Sequence, residues 1–316
     1  MSKKIIISIV TPTYNEVENV ENCYESVRSI FLKHLNNYEY EHIFIDNRST
    51  DGTVEELEKM ANIDSRVKII VNSKNIGASK SIFRGLSFTQ GDLIVPMLAA
   101  DLQDPPSIIP RFVNEWENGY KLVFGQRTNR RESLLMRAMR ALYYKIIRAM
   151  ANSDIPLNAG EFLLVDRQVL DTILSTNDRN PYVRGLFAQT GVDASYIKYD
   201  WDVRKHGHSK ATFINMVDLA ITGLISTSKL PARIALFTGF ILSAIGILLG
   251  LFTVAASLLG GIEAARGIPT LVTAVFFLGG AQLFFLGLVG EYVLSIHSQI
   301  KPEPQAFSVK EINFSE

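Results

Sequence analysis

The run Ile5-Ile6-Ile7-Ser8-Ile9-Val10 leads directly into Thr11-Pro12-Thr13-Tyr14-Asn15-Glu16. A short, almost wholly apolar and β-branched run bounded by a polar turn reads as a strand buried on both faces. Three more runs have this character: His42-Ile43-Phe44-Ile45, Val67-Lys68-Ile69-Ile70-Val71 and Asp92-Leu93-Ile94-Val95-Pro96-Met97. Helical patterns separate them over Val17 to Leu35, Thr53 to Ala61 and Ser79 to Thr89. Strands alternating with helices predict βαβ units, an α/β class and a mainly parallel, Rossmann-like sheet. Ligands of such sheets lie beyond the carboxyl ends of the strands, so the polar residues that follow each run are the candidates.

Neither of two common phosphate motifs occupies those positions. No G-x-G-x-x-G follows the first strand and no G-x-x-x-x-G-K-[ST] occurs, which argues against dinucleotide dehydrogenases and P-loop nucleotidases. The second strand is followed by Asp46-Asn47-Arg48-Ser49-Thr50-Asp51-Gly52-Thr53, and the first by Tyr14 between Thr13 and Asn15. Together they offer acceptors and an aromatic ring suited to a nucleoside base and ribose. Read singly, Asp51 or Ser49 could simply cap the helix from Thr53, and Asn15 the helix from Val17. The fourth strand leads into Ala99-Ala100-Asp101-Leu102-Gln103-Asp104-Pro105-Pro106. Asp101 and Gln103, at i and i+2, supply hard oxygen donors for Mg²⁺ or Mn²⁺ bridging a diphosphate, with Asp104 readable as a cap.

The 316 residues carry 32 Lys+Arg and 32 Asp+Glu, so no general affinity for polyanions is expected and nucleic acid is not a predicted partner. The single Cys23 excludes an internal disulfide. The positive mean hydropathy of +0.14 comes largely from two stretches without Asp, Glu, Lys or Arg, Ile234 to Ile262 and Gly267 to Gly290. About 20 apolar residues of helix cross a hydrocarbon core, so both are long enough to span a bilayer. Glu263 and Arg266 stand in the turn between them, while Lys229, Arg233 and Lys301 flank the outer ends. The positive-inside rule therefore favours both chain ends in the cytoplasm. No signal peptide is expected, because the Ile5 to Val10 run is too short. The expected organisation is a cytoplasmic domain over 1–210, an amphipathic juxtamembrane helix over 211–231, a two-helix membrane hairpin over 232–298 and a tail over 299–316.

The ordered set Thr11-Pro12-Thr13-Tyr14-Asn15-Glu16, the Asp46 to Thr53 block, Asn75-x-Gly77, Ala100-Asp101-Leu102-Gln103-Asp104-Pro105-Pro106, Gly160-Glu161-Phe162, Arg204, Gly207-His208-Ser209-Lys210 and Leu230-Pro231 resembles the GT-A glycosyltransferases of family 2. Within them it is similar to the polyprenyl-phosphate glycosyltransferases. The resemblance implies a GT-A catalytic domain followed by interfacial helices and two transmembrane helices. It places Pro12, Tyr14, Glu16 and Asp46 at the nucleoside, with Asn47 and Asp51 beside them, and Asp101 and Gln103 at the metal and diphosphate. The sequence departs from the family pattern at Ala99-x-Asp101, at Asn47-Arg48 and at Glu161. The lost carboxylate at position 99 lowers the charge available to a divalent ion.

Arg127, Arg130, Arg131, Arg137, Arg140, Lys145 and Arg148 face only Glu132 over 127–148, with apolar and aromatic residues between them. Such a stretch suits an anionic bilayer surface. Arg127, Arg130, Arg204 and Lys210 are expected around the lipid phosphate and the donor diphosphate, since Arg forks fit phosphate oxygens and Lys adds a mobile charge. A lipid monophosphate with a second pKa of about 6 is already a nucleophile at neutral pH. Glu161 then orients acceptor or metal instead of acting as a base, and Asp101, Glu161 and Arg204 form the expected catalytic set. The expected reaction is inverting transfer of one sugar from a nucleotide-sugar, UDP-glucose or UDP-GlcNAc, to a polyprenyl phosphate at the inner membrane. Two other readings stand beside it: a catalytically weak membrane-bound nucleotide-sugar scaffold, and a processive polysaccharide synthase, which usually has a Gln-x-x-Arg-Trp motif and more spans. Self-association is left open.

Overall fold

The computed structural model describes residues 4–128, 159–176, 178, 181, 183–201, 230–258, 268–300 and 306–314. Eight strands form one sheet: β1 Ile6–Thr13, β2 Glu39–Asp46, β3 Val67–Asn72, β4 Leu93–Val95, β5 Leu122–Thr128, β6 Ala159–Asp166, β7 Ala194–Asp200 and β8 Ser308–Ile312. The helices of the same domain are α1 Val17–His34, α2 Thr53–Ile63, α3 Ala78–Leu86, α4 Ile109–Glu117, α5 Arg167–Leu174 and α6 Val183–Gln189. The strand order is β7-β5-β6-β4-β1-β2-β3-β8. Pairings β1 with β2 and β4, β2 with β3, and β5 with β7 are parallel, whereas β6 and β8 run antiparallel to their neighbours. The expected mainly parallel α/β sheet is therefore present, and the four strands read from sequence are its centre.

Alternation along the strands sends side chains to two apolar layers. Ile7, Ile9, Phe44 and Ile69 pack with Val27 of α1, Leu57 of α2 and Phe112 of α4 on one face. Val10, Ile43, Ile45 and Ile70 pack with Ile82 of α3, Leu170 of α5 and Phe187 of α6 on the other. Because both faces are covered, polar side chains inside the sheet need partners. His42 is fully buried, with its Nε2 2.8 Å from Thr11 Oγ1, and burial pushes it down to about 3, so it stays neutral. Glu41 accepts from Lys68 Nζ at 2.6 Å, from Ser8 Oγ at 2.5 Å and from the Gln90 amide at 2.6 Å.

The last residues differ from the expected tail. Residues 308–312 form β8, which extends the sheet at β3. Arg84 donates to the Ala306 carbonyl and, at 2.7 Å, to Ser308 Oγ, while Asn313 Nδ2 donates to the Ala61 and Val67 carbonyls, each at 2.9 Å. Nothing local marks 308–312 as a strand, because its partner β3 lies over two hundred residues away in the chain.

Two long apolar helices precede it, α7 Leu230–Leu258 and α8 Ile268–Ile300. Among the described residues one stretch, Phe277–His297, is long and apolar enough to cross a membrane, and none of it is buried within the protein. A shorter apolar stretch, Ile234–Gly246, lies in α7. The expected turn around Glu263, the basic stretch from 129 to 148 and the juxtamembrane segment up to 229 lie outside the described residues.

The buried Glu41–Lys68 pair yields a stability test. Glu41→Ala leaves an ammonium 11% exposed without its carboxylate, and breaking such a pair costs about 3–5 kcal/mol. The thermal midpoint in detergent should fall clearly for Glu41→Ala and recover largely in the double variant Glu41→Met with Lys68→Met.

Candidate active site

The carboxyl ends of β1, β2, β4, β5 and β7 and the amino end of the antiparallel β6 all open on one edge of the sheet. Strand order reverses beside β1, which has β4 on one side and β2 on the other. This is the switch point at which open α/β sheets bind ligands. Three non-glycine residues there have left-handed backbones: Asn15 at φ 54°, Arg48 at 65° and Leu102 at 55°. They follow β1, β2 and β4 respectively, and such strain persists only where surrounding contacts enforce it.

The first two turns enforce each other. Ser49 Oγ accepts from the Asn15 amide at 2.8 Å and Asn15 Oδ1 accepts from the Thr50 amide at 2.9 Å. Thr53 Oγ1 accepts from the Glu16 amide at 2.9 Å, and Asp51 Oδ2 from the Val17 amide at 3.2 Å. Asp46 is fully buried, and its carboxylate accepts from the Ser49 amide at 2.8 Å, Ser49 Oγ at 2.5 Å and Thr13 Oγ1 at 3.1 Å. Asn47 Oδ1 accepts from Asn72 Nδ2 at 3.1 Å, tying the turn to β3. Asp51 also accepts from Thr53. Burial raises its pKa, but the Thr53 hydroxyl and the Val17 and Thr53 amides outweigh this and hold it below the ordinary carboxylate value.

Asp46, Asn47 and Asp51, read from sequence as nucleotide contacts, thus build the two turns that present Pro12, Tyr14 and Glu16. Tyr14 is 36% exposed, so its ring is accessible to a ligand, while Pro12 and Glu16 are half-buried. The capping alternative is realised in a cross-chain form: the side chain that meets the first turn of α1 comes from Asp51, in the turn after β2.

The turn after β4 is pinned at its start by the Leu98 amide donating to the Val10 carbonyl at 2.9 Å. Inside it the Leu102 amide donates to the Ala99 carbonyl at 3.0 Å and the Gln103 amide to Asp101 Oδ1 at 3.2 Å. Asp101 and Gln103 are half-buried at the same edge as Tyr14, and Glu161 is half-buried on β6. Their oxygens fit a hard divalent ion, but among the described residues no group of three or more His, Cys, Asp or Glu forms a metal cluster. An ion here would need oxygens from the ligand it accompanies.

Arg127 stands at the end of β5, and its guanidinium is committed within the protein. Nε and one Nη donate to the two oxygens of Asp104 at 2.8 and 2.6 Å, and Tyr199 Oη donates to Asp104 Oδ1 at 2.5 Å. Asp104 is therefore the anion of a buried pair and makes no cap at the short 3₁₀ turn Pro106–Ile108. Sequence reasoning missed Tyr199, because β7 is brought beside β5 only by the sheet. Arg130, Arg204 and Lys210 lie outside the described residues.

Asn15 offers a test of the first turn. Asn15→Ala removes the bond to the Thr50 amide and keeps a Cβ in a conformation that costs about 1–2 kcal/mol without the side-chain amide that eases it. Asn15→Gly removes the bond and the Cβ cost together. The thermal midpoint should therefore fall further for Ala than for Gly, and equal losses would assign the effect to the hydrogen bond alone.

Comparison with known proteins agrees with this architecture. Residues 8–174 match the family model described as glycosyl transferase family 2. The chain is 33% identical over 305 residues to the uncharacterized glycosyltransferase YkcC of Bacillus subtilis (strain 168), covering 96% of this chain and 93% of that one. It is 31% identical over 300 residues to the bactoprenol glucosyl transferase of Shigella phage SfX, covering 95% and 97%. Among solved structures it is similar to glucosyl-3-phosphoglycerate synthase from Mycobacterium tuberculosis in complex with Mn²⁺, UDP and phosphoglyceric acid. That likeness has a TM-score of 0.50 at 20% identity, over 70% of this chain and 78% of the other, and it shows a shared fold. The chain belongs to glycosyl transferase family 2 and is a glycosyltransferase.

Proposed function

We propose that this glycosyltransferase moves one sugar from a nucleotide-sugar to a polyprenyl phosphate, with undecaprenyl phosphate as acceptor and UDP-glucose or UDP-GlcNAc as donor. The observation that carries the reading is the similarity to a bactoprenol glucosyl transferase along 95% of the chain, apolar helices included. The switch-point edge supports it by presenting Tyr14 to a base and Asp101 with Gln103 to a diphosphate.

The chain's own groups need supply little acid–base chemistry. A lipid phosphate is mostly dianionic at neutral pH, so Glu161 orients the acceptor instead of deprotonating it. The phosphate oxygen attacks the anomeric carbon, the bond to the nucleoside diphosphate breaks, and in-line geometry inverts the centre. A divalent ion held by Asp101, Gln103 and the diphosphate would offset the charge of the leaving group. Arg130, Arg204 and Lys210 serve as the cations around the two phosphate groups.

Purified full-length protein in detergent, given undecaprenyl phosphate, Mn²⁺ and a panel of UDP- and GDP-sugars, should yield a lipid heavier by one sugar. Asp101→Asn should lose most of that transfer, about tenfold or more if it removes one charge-assisted contact. Donor binding without any lipid product would favour the scaffold reading, and a polymeric product would favour a synthase.

We also propose that α7 and α8 form a two-span hairpin in the inner membrane, with the catalytic domain cytoplasmic. Support comes from α7 and α8 having 29 and 33 residues, with exposed apolar side chains such as Phe237, Phe240, Phe284 and Leu286. Cys23 is buried and its thiol is pushed up to about 12 by that burial, so it is a silent background for labelling. Ala264→Cys should react with an impermeant thiol reagent in intact cells, and protection of that cysteine until lysis would overturn the topology.

A further inference from the structure

Arg127 carries a charge that the fold uses in an unexpected place. Its side chain is 18% exposed and that of Asp104 only 2%. The guanidinium spans both carboxylate oxygens, the Tyr199 hydroxyl shares the same carboxylate, and the Trp201 ring lies 5.4 Å from Cζ. Two glycines make the room. A Cβ at Gly160 would come within 3.1 Å of the guanidinium carbon, and one at Gly125 within 2.7 Å of Tyr199 Cε1. The pair therefore touches the turn after β4 through Asp104, the start of β6 through Gly160, and β7 through Tyr199.

The turn it holds is fixed at both ends. Its start is tied to β1 by the Leu98 amide, and Leu102 is left-handed in its middle. Asp104 is the tie at its far end. A turn containing a left-handed Leu keeps its shape only if both ends are fixed. Release of Asp104 would let Leu102 relax, and Asp101 and Gln103, on either side of it, would move.

We propose that Arg127 is a positioning residue that acts through Asp104: the buried Asp104–Arg127–Tyr199 cluster locks the Asp101–Gln103 turn against β6, so that both side chains meet the donor diphosphate and its ion beside the acceptor-orienting Glu161. The inference rests on the reading of Asp101 and Gln103 as diphosphate and metal contacts. It moves Arg127 from the set of phosphate-binding cations to the frame beneath them. It also accounts for the glycine before Glu161, where a Cβ would press on the guanidinium at 3.1 Å and force it to shift by a few tenths of an ångström.

The test uses full-length protein in detergent and two readouts: Mn²⁺-dependent binding of UDP and GDP without lipid, and transfer kinetics against undecaprenyl phosphate. Asp104→Asn and Arg127→Lys should each weaken Mn²⁺–nucleotide binding and lower kcat about tenfold, the scale of one charge-assisted contact. The KM for undecaprenyl phosphate should stay within about twofold. The double variant should be no worse than the poorer single one, because both act through one contact. Tyr199→Phe, which removes one hydrogen bond and keeps the ring, should weaken Mn²⁺–nucleotide binding to a smaller extent, and it carries the test if the charge variants do not fold. Additive losses, or a large rise in lipid-phosphate KM for Arg127→Lys with unchanged Mn²⁺–nucleotide binding, would overturn the proposal and return Arg127 to the acceptor. Nucleotide binding by Asp104→Asn equal to that of the parent would overturn it too, as would a parent that binds neither nucleotide. If the parent binds a nucleotide with Mn²⁺ but glycosylates no lipid, the proposed acceptor fails while the positioning result stands on the binding data.

Discussion

Polar groups on central strands covered on both faces are costly to leave unpaired, and the placement of most polar side chains in this sheet follows from that cost. Three interior polar side chains of β1 find partners on β2: Ser8 with Glu41, Thr11 with His42, Thr13 with Asp46. Ser8 faces Glu41 and Thr13 faces Asp46 across the parallel ladder, while Thr11, opposite Phe44, reaches His42 two residues away, so register decides each pair. A shift of one residue would bring Glu41 among apolar side chains and leave Lys68 alone. The polar residues proposed to meet ligands lie instead at the edge where the strands end.

At that edge the chain has solved a second problem, which is to hold three short turns open without secondary structure inside them. The turns after β1 and β2 brace each other through Asn15, Ser49, Asp51 and Thr53, with Asp46 buried beneath. At the far side of the turn after β4 a buried ion pair takes that role. Left-handed residues in all three turns are consistent with strain being stored where side chains must converge.

The C-terminal segment joins the two long apolar helices back to this frame. Arg84 and Asn313 bind backbone carbonyls on either side of β8, so the end of the chain is part of the sheet. Gln299, one residue before the end of α8, donates to Asp178 at 2.5 Å. The catalytic domain is thus contacted at two places, by the end of α8 and by the segment that follows it.

The sequence by itself determined the class of the fold, the four central strands, the turn positions and the apolar helices. Those depend on local periodicity and on the sharp change from buried strand to polar turn, both visible within a dozen residues. It also carried the family, because several motifs in fixed order are a stronger signal than any one of them. Only the tertiary structure decided what each polar residue in those motifs does. Asp46 and Asp51, which as motif residues suit a ligand, also build the turns, Asp104, readable as a cap, is half of an ion pair, and Arg127, readable as a phosphate-binding cation, is its other half. Nothing local distinguishes these roles, since a carboxylate has the same sequence signature whether it faces solvent or an arginine 23 residues away. The partner is set by which strands become neighbours, and that is a property of the whole sheet.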